Sequence, residues 1–198
     1  PLGEWALYAA CRQLARCARD PALSQMSMSV NVSPRQFYQP DFVAQVQQAL
    51  EVTGARAERL ELELTEGMLL ENSRRTLQTL NAIKALGIRI TMDDFGVGYS
   101  SLGQLRGFPI DTLKIDRSFI QNLPDSSQDR AITRAIVALA KSLELQVIAE
   151  GVETVEQERF LREIACDQSQ GYYFSKPVAA DEFAELLRKT STTHPVTA

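Results

Sequence analysis

What most constrains this chain is a regular alternation of two periods. Six short runs repeat their apolar residues every second position, and longer runs of helical period separate them. In 27–32, Met28, Val30 and Val32 alternate with Ser27, Ser29 and Asn31; in 60–65, Leu60, Leu62 and Leu64 alternate with Glu61, Glu63 and Thr65. The remaining runs are 88–93, 111–116, 146–150 and 170–174. A period of two marks strands. Helices are expected at 3–19, 41–52, 73–86, 127–143, 154–164 and 180–189. The first carries Leu7, Cys11, Leu14 and Ala18 on one stripe; the third carries Leu77, Leu80, Ile83 and Leu86 and stops at Gly87. Strands alternating with helices predict parallel βαβ units and an α/β fold. A half-exposed antiparallel sheet would also alternate, but the intervening helices disfavour it.

The polar residues of these strands gather at one end. Asn31, Glu63, Asp93, Lys114 with Asp116, Glu150 and Gln170 all lie at or near the C-terminal ends of successive strands. In a (β/α) barrel those ends form the active-site face; in an open sheet they would meet at a switch point. The barrel is the expected fold, with aliphatic residues facing outward under the helices. A full barrel has eight strands and about 250 residues. Six strands after an opening helix predict an incomplete barrel, short of two βα units of roughly 30 residues each. One domain is expected over 1–190, with 191–198, rich in Thr, Ser and Pro, as a disordered tail.

Composition narrows the function. The chain has 198 residues, 44% hydrophobic and 23% charged, as an ordinary globular domain has. A net charge of −4 argues against a binder of nucleic acid polymers or membrane surfaces. No apolar run approaches the ~18 residues of a membrane span, and no signal peptide opens the chain. Cys11, Cys17 and Cys166 are too few and scattered for a disulfide framework or a zinc site. The expected location is therefore the cytoplasm, with no membrane contact from this segment. The single histidine, His194, lies in the tail, which excludes histidine as a general base.

The stretch Asp93-Asp94-Phe95-Gly96-Val97-Gly98-Tyr99-Ser100-Ser101-Leu102 carries the strongest chemical signal. Two adjacent carboxylates close the apolar run Ile88–Met92, and a loop with two glycines follows. Buried carboxylates at a strand end need a cation or hydrogen-bond donors to stay ionised, and hard oxygen ligands suit Mg²⁺ or Mn²⁺. An Asp-rich turn with glycine at positive φ is the plainer reading of the pair alone. The other residues have plain readings too: Asn31 as a strand-end cap, Glu63 as half of a buried pair, Lys114 as a solvated lysine, Glu150 as a helix-start carboxylate, Glu153 and Gln170 as surface polars. Glu61 could meet Arg89 inside a barrel.

Six stretches in order tip the balance. Asn31-Val32-Ser33, Glu63-Leu64-Thr65-Glu66, the Asp93-Asp94 segment, Leu113-Lys114-Ile115-Asp116, Val147-Ile148-Ala149-Glu150-Gly151-Val152-Glu153 and Gln170-Gly171-Tyr172 resemble the EAL domain family, phosphodiesterases that open cyclic di-GMP to linear pGpG. The resemblance implies metal ligation by Asn31, Glu63, Asp93, Asp94 and Glu150, with Asp93 serving both of two Mg²⁺ or Mn²⁺ ions. It implies catalytic roles for Lys114, Glu150 and Asp94, with Lys114 touching the attacking water or phosphate. Glu66 would steady the loop after Asp94, and Gln170 and Glu153 would line the substrate pocket. Two metals activate water, neutralise phosphate and stabilise the leaving oxygen, and the glycines at 96 and 98 let the loop bend close to them.

Two departures stand out. The family's Glu-x-Leu segment, whose glutamate binds metal and whose following arginine contacts phosphate, is not found ahead of the helix containing Trp5. Val97 stands where the family often has Thr. The residues 1–198 alone are therefore expected to hydrolyse poorly. An unclosed barrel edge invites a partner chain, so either a homodimer, by dimerisation or exchange across the gap, or a loosened half-barrel is expected. A non-catalytic cyclic di-GMP receptor remains as the alternative, and sensory or signalling domains are expected elsewhere in the parent protein. Substituting Asp93 or Lys114 is expected to leave the fold intact.

Overall fold

Leu60, Leu62 and Leu64 are fully buried, and their neighbours Glu61 and Glu63 on the opposite face of the same strand are buried too. A strand buried on both faces belongs to a sheet covered on one side and filled on the other. The computed structural model describes residues 2–70, 73–98 and 105–193. In chain order its elements are α1 (Leu2–Cys17), β1 (Met28–Asn31), α2 (Pro34–Phe37), α3 (Phe42–Thr53), β2 (Leu60–Thr65), α4 (Glu66–Leu70), α5 (Ser73–Ala85), β3 (Arg89–Phe95), β4 (Thr112–Ile115), α6 (Ser127–Ser142), β5 (Gln146–Glu150), α7 (Val155–Glu163), β6 (Gln168–Gln170) and α8 (Ala180–Thr193). Strand order follows sequence order, β1 to β6. β3 with β4, β4 with β5 and β5 with β6 pair in parallel.

The chain divides into two compact units. The first comprises Pro1–Leu62, Ala85–Ile88 and Pro177–Ala198. In it α1 packs on α3, burying Leu7, Cys11, Leu14 and Cys17. Cys17, not Ala18, completes the stripe, because the helix ends there and Ala18 turns outward. Ser33 caps α2 by accepting the Gln36 amide, with Pro34 in the first turn, where its missing N–H costs nothing. Cys17, Leu23 and Ala184 form a small cluster with Met26 and Leu187, flanked by Arg16–Asp181 and Arg188–Asp20 ion pairs. Asn31 ends β1 with its side chain exposed.

The second unit comprises Glu63–Lys84 and Arg89–Lys176. Ile90, Met92, Leu113, Ile115, Val147 and Ala149 are buried in its strands, and Leu80, Ile83, Ile136, Val137, Ala140, Phe160 and Leu161 in its helices. One local device occurs twice. Asp111, just before β4, accepts the Ile90 amide of β3 and pairs with Lys84 at the end of α5. Asp167, just before β6, accepts the Val147 amide of β5 and pairs with Lys141 at the end of α6. Each carboxylate thus joins the start of a strand to the last turn of the helix that precedes it. Arg89 donates to Thr112 Oγ1 and Gln146 Oε1.

The last strand differs from the sequence expectation. It covers Gln168–Gln170, and 171–174 form a turn. A side chain at Gly171 would lie 2.1 Å from the Val152 carbonyl. Val152 donates to Gln170 O and accepts from the Tyr173 amide, so the chain turns on this contact instead of extending. The closing helix runs on to Thr193; His194–Ala198, the rest of the expected tail, lie outside the described residues, as do Tyr99–Leu102. Among the described residues no helix is long and apolar enough to cross a membrane.

Candidate active site

Adjacent strand residues normally point to opposite faces, so Asp93 and Asp94 should be unable to serve one site. A bulge in β3 changes this. Met92 pairs with Leu113 and Phe95 with Ile115, leaving Asp93 and Asp94 together opposite Lys114. Asp94 takes a left-handed conformation, φ 56°, which costs a non-glycine residue some strain. Its amide donates to Asp93 Oδ1 at 3.0 Å. As a result Asp93, Asp94 and Glu150, the last residue of β5, each offer a carboxylate oxygen within 4.8 Å of the others.

Lys114 fills the centre. Its Nζ lies 2.6 Å from Glu150 Oε1, 3.0 Å from Glu63 Oε2 and 3.4 Å from Asp93 Oδ1, with only 4% of the side chain exposed. Burial opposes its charge, but the Glu150 hydrogen bond and the charges of Glu63, Glu150 and Asp93 outweigh that and hold its pKa above the usual lysine range. Glu150 is pushed up by burial, against the pull of Lys114, with Asp93 and Glu63 adding repulsion. Asp94 is pushed up by burial and by the charges of Asp93 and Asp116. Three carboxylates share one ammonium, with Asp94 beside them, which leaves the cluster with net negative charge. Three converging hard oxygen donors with excess negative charge fit a divalent cation such as Mg²⁺ or Mn²⁺.

The remaining sequence candidates take these positions. Glu63 is buried on β2 and bound to Lys114, outside the group of three. Asn31 belongs to the first unit. Glu66, 3% exposed at the start of α4, accepts the Gly96 amide at 3.0 Å, and a side chain at Gly98 would come within 2.7 Å of Glu66 Oε1. Glu66 therefore grips the backbone that leaves the bulge. Val97 is exposed. Glu153 and Gln170 line a cavity of about 210 Å³ with Glu150, Gly151, Gly171, Tyr172 and Arg117.

Arg117 was missed by the sequence reading. It opens a short 3₁₀ turn capped by Asp116, whose Oδ1 accepts the Ser118 amide. Its only sequence signal is its place three residues after Lys114, at a strand's C-terminal end. Gly151 is required beside it: its φ is 71°, and a Cβ there would sit 2.7 Å from Arg117 Cβ.

Known proteins resemble this chain over most of its length. The EAL domain family's sequence pattern matches residues 1–177. A protein named cyclic di-GMP phosphodiesterase NbdA, from Pseudomonas aeruginosa, is 43% identical over 94% of this chain, which covers 24% of that protein. The PaMucR phosphodiesterase, solved as a c-di-GMP complex, superposes with a TM-score of 0.89 at 39% identity, over 92% of this chain and 73% of that one. BlrP1 of Klebsiella pneumoniae, solved with manganese and cyclic di-GMP, superposes at 0.77 with 27% identity, over 89% of this chain and 45% of that one. The chain spans about a quarter of the length of the curated relatives it matches. The fold is the α/β, TIM-like barrel type of these structures, incomplete with six strands among the described residues, and the chain belongs to the EAL domain family.

Proposed function

We propose that this chain hydrolyses one phosphodiester of cyclic di-GMP, releasing linear pGpG, with Mg²⁺ or Mn²⁺ as cofactor. The observation that carries this is the β3 bulge, which turns Asp93 and Asp94 toward the same point as Glu150. The names of the relatives and the ligands of the solved neighbours supply the substrate and support a divalent metal.

Asp93, Asp94 and Glu150 would hold the metal, with Glu63 and Asn31 as further ligands implied by the resemblance. A bound divalent cation would supply an acidified water and charge neutralisation at the phosphate. Lys114 lies 2.6 Å from Glu150 Oε1, and once metal holds the carboxylates it would donate to the attacking oxygen or a phosphate oxygen from the same spot. Glu66 fixes the loop after Asp94 through Gly96. Glu153, Gln170 and Arg117 border the space beside Glu150, where a substrate would be gripped.

Chromatography of cyclic di-GMP incubated with the full-length protein tests the proposal. Turnover is expected with Mg²⁺ or Mn²⁺, none in excess EDTA, inhibition by the larger Ca²⁺, and near-complete loss in Asp93→Asn. Full activity in EDTA, or undiminished rates from Asp93→Asn, would overturn it. Tight binding of cyclic di-GMP without turnover by the unaltered protein would support the receptor alternative instead.

A further inference from the structure

Gln157 joins two loops of the site and belongs to neither. It is 4% exposed and lies in the first turn of α7. Its Oε1 accepts the amides of Glu153 (2.7 Å) and Thr154 (3.1 Å). Its Nε2 donates to the carbonyls of Ile120 (3.2 Å) and Gln121 (3.3 Å). Oxygen meets two N–H groups and nitrogen meets two carbonyls, so every hydrogen-bonding position of the amide that faces protein is used.

Half of this pattern is an ordinary helix cap. Thr154 Oγ1 accepts the Gln157 amide and the glutamine side chain answers on the backbone, a capping box. The other half has no part in capping. Ile120 and Gln121 follow Arg117 by one turn, and both donate their amides to the Arg117 carbonyl. Gln157 therefore ties the segment Glu150–Thr154 to the turn that presents Arg117. On its other side that segment is held by Val152, through Gln170 O and the Tyr173 amide.

We infer that Gln157 is a positioning residue that sets the place of Glu150 and Glu153 against Arg117, and so tunes metal affinity and substrate turnover. This rests on the reading of the site as a divalent-metal phosphodiesterase. Buried groups that orient ligands from behind are worth 10- to 100-fold in metal affinity or activity, on the order seen for outer-shell partners generally.

The test separates the two halves of the pattern. Gln157→Glu keeps the acceptor that caps α7 but sets an oxygen against the Ile120 and Gln121 carbonyls. Thr154→Ala removes a cap bond and leaves the bridge. In the full-length protein, Mn²⁺ titration calorimetry and cyclic di-GMP kinetics are measured for both, with thermal melting to check folding. Gln157→Glu is expected to weaken Mn²⁺ binding and lower kcat/KM by about tenfold or more. Thr154→Ala is expected to lower the melting temperature and leave Mn²⁺ affinity within about twofold of wild type, well short of that outer-shell effect. If Gln157→Glu does not fold, Gln157→Met, which loses the bridge without a buried charge, takes its place. Unchanged Mn²⁺ affinity in a folded Gln157 variant would overturn the inference, as would an equal loss in Thr154→Ala. A wild-type protein that binds Mn²⁺ but leaves cyclic di-GMP intact would sink the proposed function, while the Mn²⁺ comparison would still decide the role of Gln157.

Discussion

Lys114 is a buried cation whose three carboxylate neighbours have little access to water. The expectation that substitution there leaves the fold undisturbed treated the carboxylates as a burden borne without metal. The geometry changes this for Lys114, because the ammonium offsets that burden. Removing one partner of a buried ion cluster leaves the others uncompensated, at a cost of about 3–5 kcal/mol. Lys114→Met should lose about that much stability in EDTA, by urea denaturation, and saturating Mn²⁺ should narrow the gap. No loss in EDTA would show that the carboxylates are not held by Lys114. Asp94 predicts the opposite sign. Its pKa is raised in the folded protein, so at neutral pH its ionisation costs stability, and the cost vanishes as pH falls through the raised value and the carboxyl protonates. Asp94→Asn should therefore raise the melting temperature of the metal-free protein at pH 7, with a gain that shrinks on acidification toward the carboxylate range. Asparagine's tolerance of left-handed backbone adds a part that does not depend on pH. A gain that grows on acidification would contradict the burial argument.

At the scale of elements, the paired devices at the strand starts predict stability without function. Asp111→Ala leaves the buried start of β3 with an unanswered Ile90 amide and frees Lys84. An unsatisfied backbone donor costs about 1–3 kcal/mol. Chemical denaturation should register that loss, while Mn²⁺ affinity should stay put, because Asp111 lies at the opposite end of β4 from the carboxylate cluster. A matching drop in Mn²⁺ affinity would mean that the two ends of the strands are coupled. The contrast also explains what the sequence could reveal. Five strands are legible because each repeats its apolar residues every second position, and for β5 the pattern's bounds are those of the strand, Gln146–Glu150. β6 was misplaced because Tyr172, Tyr173 and Phe174 have strand-like composition, whereas the close approach of Gly171 to Val152 is a contact between distant residues. The shared role of Asp93 and Asp94 is legible in the motif, but its means is hidden: a strand's period separates them, and only the register against β4 exposes the bulge. The second pair of bonds made by Gln157 is hidden in the same way, because its acceptors lie 36 and 37 positions away.

For the whole molecule the decisive question is how much of the site these 198 residues carry by themselves. They supply Asp93, Asp94, Glu150, Lys114 and Glu63 in one unit and Asn31 in the other. The family resemblance assigns a further metal-binding glutamate and a phosphate-contacting arginine to a Glu-x-Leu segment ahead of the helix that contains Trp5. A shared metal cluster depends on the full set of donors for its geometry, and a positioned charge that meets the phosphate is worth roughly 10²-fold or more in turnover. Residues 1–198 should therefore still bind Mn²⁺ through the Asp93, Asp94 and Glu150 oxygens, but more weakly than a protein in which such a segment is joined ahead of them, and should hydrolyse cyclic di-GMP at least about 10²-fold more slowly than that protein. Calorimetry with Mn²⁺ and a nucleotide assay run on the two proteins side by side would measure both effects. Weaker metal binding with slow turnover is the expected pair. Equal rates would mean that the carboxylates and Lys114 gathered by the β3 bulge suffice for the chemistry without a Glu-x-Leu segment.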